Sequence, residues 1–293
     1  MSNLKRRGSF YILLAALLWS TGGLFIKDVT LDGFGVSLWR STFASITLYV
    51  IYRFTFSKQQ LAEQRRHWFT SHTIIMATIY AGLLVLFVLA TKLTTSANAI
   101  FLQYTAPIYV LFFEPIISKT KLKRADIISV AITISAMALF FIGKFDTSST
   151  LGNILALTSG VCFAAYALLL KHEKTGESVR WQSVIVGHLI IVIAMAIMWF
   201  IGATDPTVHS AKEAGELAFL GILQIGVAYS LFTTGIHYVR ALDALLLSMV
   251  EPVLNPVWVF IGIGETPTGW AIIGGMIILA ISAIRTYHEG MAT

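Results

Sequence analysis

Ten apolar stretches of about 18 to 24 residues follow one another along the chain, and short connectors between them carry most of the charged residues. A helix needs about 20 residues, rising about 1.5 Å each, to cross a hydrocarbon core of about 30 Å. The pattern therefore predicts an all-α polytopic membrane protein with ten transmembrane helices. The expected spans are 9–26, 34–53, 73–91, 97–117, 125–143, 152–170, 182–201, 216–238, 243–263 and 268–285.

Composition narrows the classes of protein further. Only 12% of the 293 residues are charged, whereas a soluble domain carries about 25%. The connectors are too short for a separate catalytic domain, so residues 1–293 are expected to form one membrane domain. The single cysteine, Cys162, allows no internal disulfide. No catalytic constellation, metal-ligand spacing or nucleotide-binding motif is visible, so we expect no enzyme, no cofactor and no metal.

The basic residues are distributed unevenly over the connectors. If the ten spans alternate in direction, 16 of the 21 lysines and arginines fall on one side and four on the other, and Arg40 lies inside a span. Basic loops stay on the cytoplasmic side of a membrane. We therefore expect both termini in the cytoplasm, and we read the net charge of +6 as topogenic, with no role in nucleic-acid binding.

The second half of the chain repeats the first. Gly8–Lys27 resembles Gly152–Lys171, and Ala99–Leu102 before Pro107 resembles Ala244–Leu247 before Pro252. Repeat 1 covers about 8–145 and repeat 2 about 150–288. Because each repeat has five spans, the second copy must enter the membrane from the opposite face. Inverted repeats are typical of secondary transporters, which bind substrate near the bilayer midplane.

Pro107 and Pro252 lie near the middle of equivalent spans and are expected to kink them. Each proline frees a backbone carbonyl, which in a bilayer must face protein or a water-filled cavity. The two interruptions therefore predict a central cavity. Ala156, Gly160 and Ala164, spaced four residues apart, predict a seam against another helix of the same chain.

Several segments resemble the EamA-type members of the drug/metabolite transporter superfamily. They are Trp19-Ser20, Arg40, the segment ATKLTTSANAIFLQYTAP at 90–107, and the segment GIHYVRALDALLLSMVEP at 235–252 continuing to Gly264-Glu265. One departure is Thr120, which stands in the first repeat where the second has Glu265. The resemblance implies a carrier of small metabolites, often of amino acids outward, that works by alternating access.

Two ionisable groups inside spans are the main candidates for substrate binding, because charge within a membrane is costly. Arg40 is suited to hold a carboxylate through two hydrogen bonds. Glu251 is suited to bind an ammonium group or to carry a coupling proton. The sequence leaves open whether the two contact the substrate or each other. Polar and aromatic groups at similar depth complete the predicted lining: Trp19, Tyr80, Gln103, Tyr104, Tyr166, Gln224, Tyr229, Asn255 and Trp258.

The leading hypothesis is a secondary-active or facilitative exporter of amino acids or related compounds in the plasma membrane of a prokaryote. An alternative is a carrier of an organic cation, held by an aromatic cage with Glu251. A channel or a membrane-embedded enzyme is the alternative of a different class. The expected partners are a small-molecule substrate, the lipid bilayer and protons, with no nucleic acid. The expected oligomeric state is a monomer, with a dimer as the alternative.

Overall fold

The computed structural model describes residues 2–117, 121–139, 142, 149–172, 175–263 and 269–291. Thr120, Gly264 and Glu265 lie outside the described residues. Within the described ranges the regular structure is entirely helical. The α-helices are α1 (Ser2–Trp19), α2 (Gly22–Asp28), α3 (Gly33–Thr55), α4 (Lys58–Gln64), α5 (Ser71–Leu93), α6 (Ser96–Gln103), α7 (Ala106–Ile117), α8 (Arg124–Leu139), α9 (Thr150–Lys171), α10 (Glu177–Phe200), α11 (Ala211–Phe219), α12 (Ala228–Gly235), α13 (Ala241–Ser248), α14 (Val250–Ile263) and α15 (Gly269–Met291), with a 3-10 turn at Arg65–His67 and a π-helical segment at Leu220–Val227.

Seven stretches of the described chain are long and apolar enough to cross a membrane. The expected all-helical membrane protein is therefore confirmed. The helices at 34–53, 125–143 and 268–285 are present as α3, α8 and α15, but they are not among the seven, so a total of ten crossings stays a prediction. The seven are Asn3–Asp28, Ser71–Leu93, Ser96–Ile117, Thr150–Lys171, Glu177–Phe200, Ala211–Gly235 and Ala241–Gly262.

Polar side chains determine where several helices begin. Asp32 accepts a hydrogen bond from the Gly35 amide at the start of α3. Thr95 does the same for the Asn98 amide at the start of α6. Such caps satisfy amide groups that have no partner within the helix. They place the helix ends in the connectors and leave the apolar stretches uninterrupted.

The first helices of the two predicted repeats run in opposite directions. Near the start of α1, a Cβ on Gly8 would lie 2.8 Å from the Gly235 carbonyl oxygen, and near the start of α9 a Cβ on Gly152 would lie 3.0 Å from the Thr94 amide nitrogen. Lys171, at the end of α9, returns to the end of the bundle that holds Gly8, where its Nζ donates to a backbone carbonyl. We call this the N-terminal end of the bundle, and the end near Thr94 the distal end.

Each half packs its first helix against the other half. Helix α1 packs on α12 and α13, while α9 packs on α5 and α6. The expected seam on α9 contributes to this packing, because a Cβ on Gly160 would lie 2.6 Å from the Gln103 carbonyl oxygen. The two halves are thus interlocked around a shared interior.

Both proline-containing spans are interrupted just before the proline. Pro107 is the second residue of α7, and Pro252 is the third residue of α14. A proline in the first turn of a helix removes an amide group that would have no intrahelical partner there. The expected kink is therefore the end of one helix and the start of another. The first predicted span, 9–26, is also interrupted, between α1 and α2, which its sequence did not predict.

Candidate functional site

A buried cavity lies between the halves, at the level of the helix interruptions. Its volume is about 20 Å³, which is room for about one water molecule and far too little for an amino acid. Helices must therefore separate before a metabolite can enter. Its lining includes six of the predicted residues, namely Trp19, Arg40, Gln103, Gln224, Tyr229 and Glu251. The lining residues are Trp19, Arg40, Leu83, Leu84, Phe87, Gln103, Phe163, Gln224, Ile225, Tyr229 and Glu251.

Arg40 enters the cavity from α3 and is 3% exposed. Its Nε and Nη2 donate to the Gln224 side-chain oxygen at 3.2 and 2.8 Å. Gln224 belongs to the π-helical segment, and its Nε2 donates to the Trp19 carbonyl oxygen at 3.3 Å. That carbonyl lies at the end of α1, where the helix is interrupted and the oxygen lacks a helical partner. Gln224 thus joins the guanidinium to this interruption.

Glu251 enters from the start of α14 and is 5% exposed. The Tyr104 hydroxyl lies 2.7 Å from Glu251 Oε2 and 2.9 Å from the Ser248 carbonyl oxygen. Pro252 has no amide hydrogen to offer that carbonyl, so Tyr104 of the other half supplies the missing donor. A tyrosine hydroxyl has one proton, so it can donate to only one of the two oxygens at a time.

Arg40 and Glu251 line the same cavity, yet they do not form an ion pair. Among the ion pairs of the described residues, none within 4.0 Å includes Arg40 or Glu251. Each is held instead by a neutral side chain, Gln224 or Tyr104. The cavity therefore presents one positive and one negative group, each free of a direct charged partner.

Five predicted residues lie outside the cavity lining and support it. Asn255 Nδ2 donates to the Ser20 carbonyl oxygen at 3.0 Å, and Trp258 Nε1 donates to Ser20 Oγ at 2.7 Å. Both therefore hold the interruption between α1 and α2. The Tyr80 hydroxyl shares a hydrogen bond of 3.0 Å with His188 Nε2. Tyr104 contacts Glu251 as described above. The Tyr166 hydroxyl shares a hydrogen bond of 3.1 Å with Ser183 Oγ.

Aromatic rings from both halves pack together along one side of the cavity. The Trp19 ring lies 4.8 Å from that of Tyr229, and the Tyr80 ring lies 4.8 Å from Tyr229 and 5.0 Å from Tyr166, measured between centroids. Tilted and edge-on arrangements of this kind are favourable between aromatic rings. Trp19 and Tyr229 bring this cluster to the cavity, where they form an apolar wall in the same lining as Arg40 and Glu251.

Sequence reasoning missed Phe163 and four other apolar lining residues. Phe163 follows Trp19 by 144 residues, the same separation as Gly152 from Gly8, so the repeat held a signal for it. Its ring centroid lies 6.1 Å from that of Trp19. Leu83, Leu84, Phe87 and Ile225 had no such signal, because apolar residues fill every span.

A second polar cluster, also unpredicted, lies at the N-terminal end. Asp126 accepts hydrogen bonds from Arg240 Nη2 and Arg285 Nη2, each at 2.9 Å. Arg285 also contacts Asp243, and Glu114 accepts from the Ala241 amide at the start of α13. Burial lowers the pKa of Arg240, but the bond to Asp126 and the nearby carboxylates outweigh it and raise that pKa above its ordinary value. The cluster ties α7, α8, α13 and α15 together.

Long apolar helices around a buried, charged cavity are the architecture of a membrane transporter. The chain belongs to the EamA-like transporter family, whose model matches residues 6–142 and again residues 150–286. The resemblance seen in the sequence is thereby confirmed.

Relatives cover nearly the whole chain at low identity. An uncharacterized transporter of Archaeoglobus fulgidus is 24% identical over 94% of this chain and 94% of its own length. The human solute carrier family 35 member G1 is 23% identical over 96% of this chain and 80% of its own length. The threonine/homoserine exporter RhtA of Salmonella typhimurium is 26% identical over 69% of this chain and 66% of its own length. These relatives are named as transporters and not as enzymes.

A solved structure shares the fold. It is the crystal structure of a protein that is 18% identical in sequence to this chain. The two superpose with a TM-score of 0.75 over 96% of this chain and 97% of the other. At that identity the likeness supports the helical architecture alone.

Proposed function

We propose that this transporter exports amino acids or related small zwitterionic metabolites by alternating access, from the plasma membrane of a prokaryote with both termini in the cytoplasm. The observation that carries the proposal is the placement of Arg40 and Glu251 around one cavity without an ion pair between them. A free amino acid carries a carboxylate for Arg40 and an ammonium group for Glu251. A ligand with both charges leaves neither side chain uncompensated in the apolar interior.

The interrupted helices support the alternating-access part of the proposal. The cavity lies beside three interruptions, those before Ala106 and Val250 and the one after Trp19. Helices bend most readily where their hydrogen bonds are already broken. Opening one end of the bundle at these points would enlarge the cavity without breaking further backbone hydrogen bonds.

The name of one relative suggests the first substrates to test. RhtA is named a threonine/homoserine exporter, and both compounds are small zwitterions. Because the identity is low, we propose the substrate class and use L-threonine and L-homoserine as probes of it.

Purified protein in liposomes tests this function. We expect saturable uptake of labelled L-threonine or L-homoserine, and counterflow when unlabelled substrate is preloaded. Arg40→Ala should abolish uptake, because the carboxylate loses its partner. Arg180→Ala is the matched control, since Arg180 is also buried but donates to the Thr175 carbonyl away from the cavity.

Three outcomes would contradict the proposal. Flux equal to that of empty liposomes across all amino acids would remove the substrate class. Flux that neither saturates nor shows counterflow would indicate a channel. An equal loss of uptake in Arg40→Ala and Arg180→Ala would indicate that Arg40 only stabilises the fold and does not bind the substrate.

An organic cation is the second candidate substrate, and the aromatic wall with Tyr229 beside Glu251 favours it. Arg40 in the same cavity opposes it, because like charges repel. A quaternary ammonium compound distinguishes between a carrier of amino acids and a carrier of organic cations. We expect it to leave amino acid uptake unchanged; competitive inhibition would favour the cation carrier.

A further inference from the structure

Gln224 occupies the face of Arg40 that a carboxylate would use. One neutral oxygen, Gln224 Oε1, accepts from both Nε and Nη2 of the guanidinium. A carboxylate offers two charged oxygens in the plane that matches these donors, and its bonds are roughly twice as strong. The amide is therefore a weaker occupant of the same position.

The surrounding backbone is built to place this amide. A Cβ on Gly22, in the first turn of α2, would lie 2.5 Å from Gln224 Nε2, so a side chain there would displace the amide. On the other side, a Cβ on Gly221 would lie 2.7 Å from the Arg40 carbonyl oxygen. The π-helical segment thus lies close against α3 and presents Gln224 to Arg40. π-helical turns are frequent at functional sites.

A second polar group of the cavity supports the assignment. The Trp19 indole Nε1 is buried and has no hydrogen-bond partner among the described residues, although Trp19 lines the cavity. Buried donors without a partner are uncommon and costly. An anionic oxygen bound beside Arg40 would give this N–H an acceptor. At the same time, the Trp19 carbonyl depends on Gln224.

We propose that Gln224 is an internal ligand of Arg40 that the substrate carboxylate displaces, and that its displacement releases the Trp19 carbonyl at the interruption between α1 and α2. Gln224 is thus both a specificity-determining residue and the link between substrate binding and helix movement. The inference rests on the proposed function, because it assumes a carboxylate-bearing substrate.

Two substitutions of Gln224 should act in opposite directions. Gln224→Glu gives Arg40 a permanent carboxylate partner, so the affinity for labelled L-threonine should fall about tenfold or more. Gln224→Met has a similar length and no acceptor, so the affinity should be unchanged or up to about tenfold higher. L-threoninol, which lacks the carboxylate, should compete equally well in all three proteins.

The same two substitutions at Gln182 are the matched control. Gln182 is a fully buried amide that donates to the Gln64 carbonyl, away from the cavity. Neither change there should alter threonine affinity. If Gln224→Met weakens threonine binding as much as Gln224→Glu does, Gln224 merely supports Arg40 and the proposal is wrong. Equal effects on threoninol would also overturn it.

Failure of the proposed function gives a different result. If no amino acid binds the wild-type protein, the substrate class is wrong. The Gln224 assignment is then decided with acetate, by thermal shift against chloride at equal ionic strength. Stabilisation by acetate that survives in Gln224→Met and disappears in Gln224→Glu supports the assignment. The same response in both variants, or no acetate-specific response in the wild type, overturns it.

Discussion

Lys27 and Lys171 make equivalent hydrogen bonds at opposite ends of the bundle. Lys27 Nζ donates to the Thr94 carbonyl oxygen at 2.7 Å, and Lys171 Nζ donates to the His237 carbonyl oxygen at 3.0 Å. The two lysines end the first spans of the two repeats and are 144 residues apart. Each acceptor lies in the connector before a helix that is interrupted at the cavity, α6–α7 or α13–α14. We infer that these bonds hold the two ends of the transporter closed.

Removing one of these lysines should open one end only. In a Cys162→Ala background, a cysteine placed at the cavity residue Leu84 reports access through its rate of labelling. Lys27→Met should raise labelling from the distal end and Lys171→Met from the N-terminal end, each by about tenfold or more, because a hydrogen bond from a charged donor is worth about 1.5 to 3 kcal/mol. Lys58→Met, on an exposed side chain, is the control. Equal changes from both ends in either variant would refute the assignment.

Glu251 and Tyr104 should act together in the pH dependence of transport. When Glu251 is protonated it can donate to Tyr104, which can then donate to the Ser248 carbonyl; when Glu251 is ionised, Tyr104 donates to Glu251 instead. Protonation therefore changes the bonding of the carbonyl just before α14. We expect liposome uptake by Glu251→Gln to be independent of an imposed pH gradient that stimulates the wild type. Tyr104→Phe should keep the gradient response but lower the rate several-fold; unchanged behaviour in both variants would exclude a coupling role.

Asp126 should be essential for stability at the N-terminal end. Asp126→Asn removes one of the two carboxylates that pair with both Arg240 and Arg285, the other being Asp243. Removing one member of a buried ion pair costs about 3 to 5 kcal/mol. We expect the lower end of that range, because the Arg240 side chain is 34% exposed. Thermal unfolding in detergent measures the loss. Lys212→Ala, which removes the exposed pair with Asp28, should cost less than about 1 kcal/mol.

Two glycine substitutions should change stability with opposite sign. An alanine methyl at Gly160 would lie 2.6 Å from the Gln103 carbonyl oxygen. This is a backbone atom, so no side-chain rotation can relieve the clash. Such overpacking costs about 1 to 3 kcal/mol. Gly215, in α11, has no atom within 4 Å of a built Cβ, so Gly215→Ala should stabilise the helix by about 1 kcal/mol. A fall in unfolding temperature for Gly160→Ala and a rise for Gly215→Ala would verify the tight contact between α9 and α6.

Membrane orientation can be measured with the same cysteine-free background. Gln59 lies at the exposed start of α4, and His209 lies in the exposed connector before α11. We expect a membrane-impermeant maleimide to label His209→Cys in intact cells. It should label Gln59→Cys only after the cells are permeabilised. The reverse pattern would place the termini outside.

The sequence by itself determined the helical membrane fold, the family and the existence of two related halves. Long apolar stretches have few alternatives in a bilayer, and the family motifs lie in the local sequence, where they can be read directly. The same reasoning placed Arg40 and Glu251 in spans, because charge stands out against an apolar background.

Only the tertiary structure decided which groups meet. Arg40 faces Gln224 because the π-helical segment lies against α3, and Tyr104 reaches Ser248 because the two interruptions lie side by side. These contacts join residues 184 and 144 positions apart, and no local pattern encodes them. The interruption after Trp19 likewise depends on side chains such as Asn255 from distant helices, which satisfy the carbonyls that it exposes. Within apolar helices many faces look alike, so packing selected the ones that line the cavity.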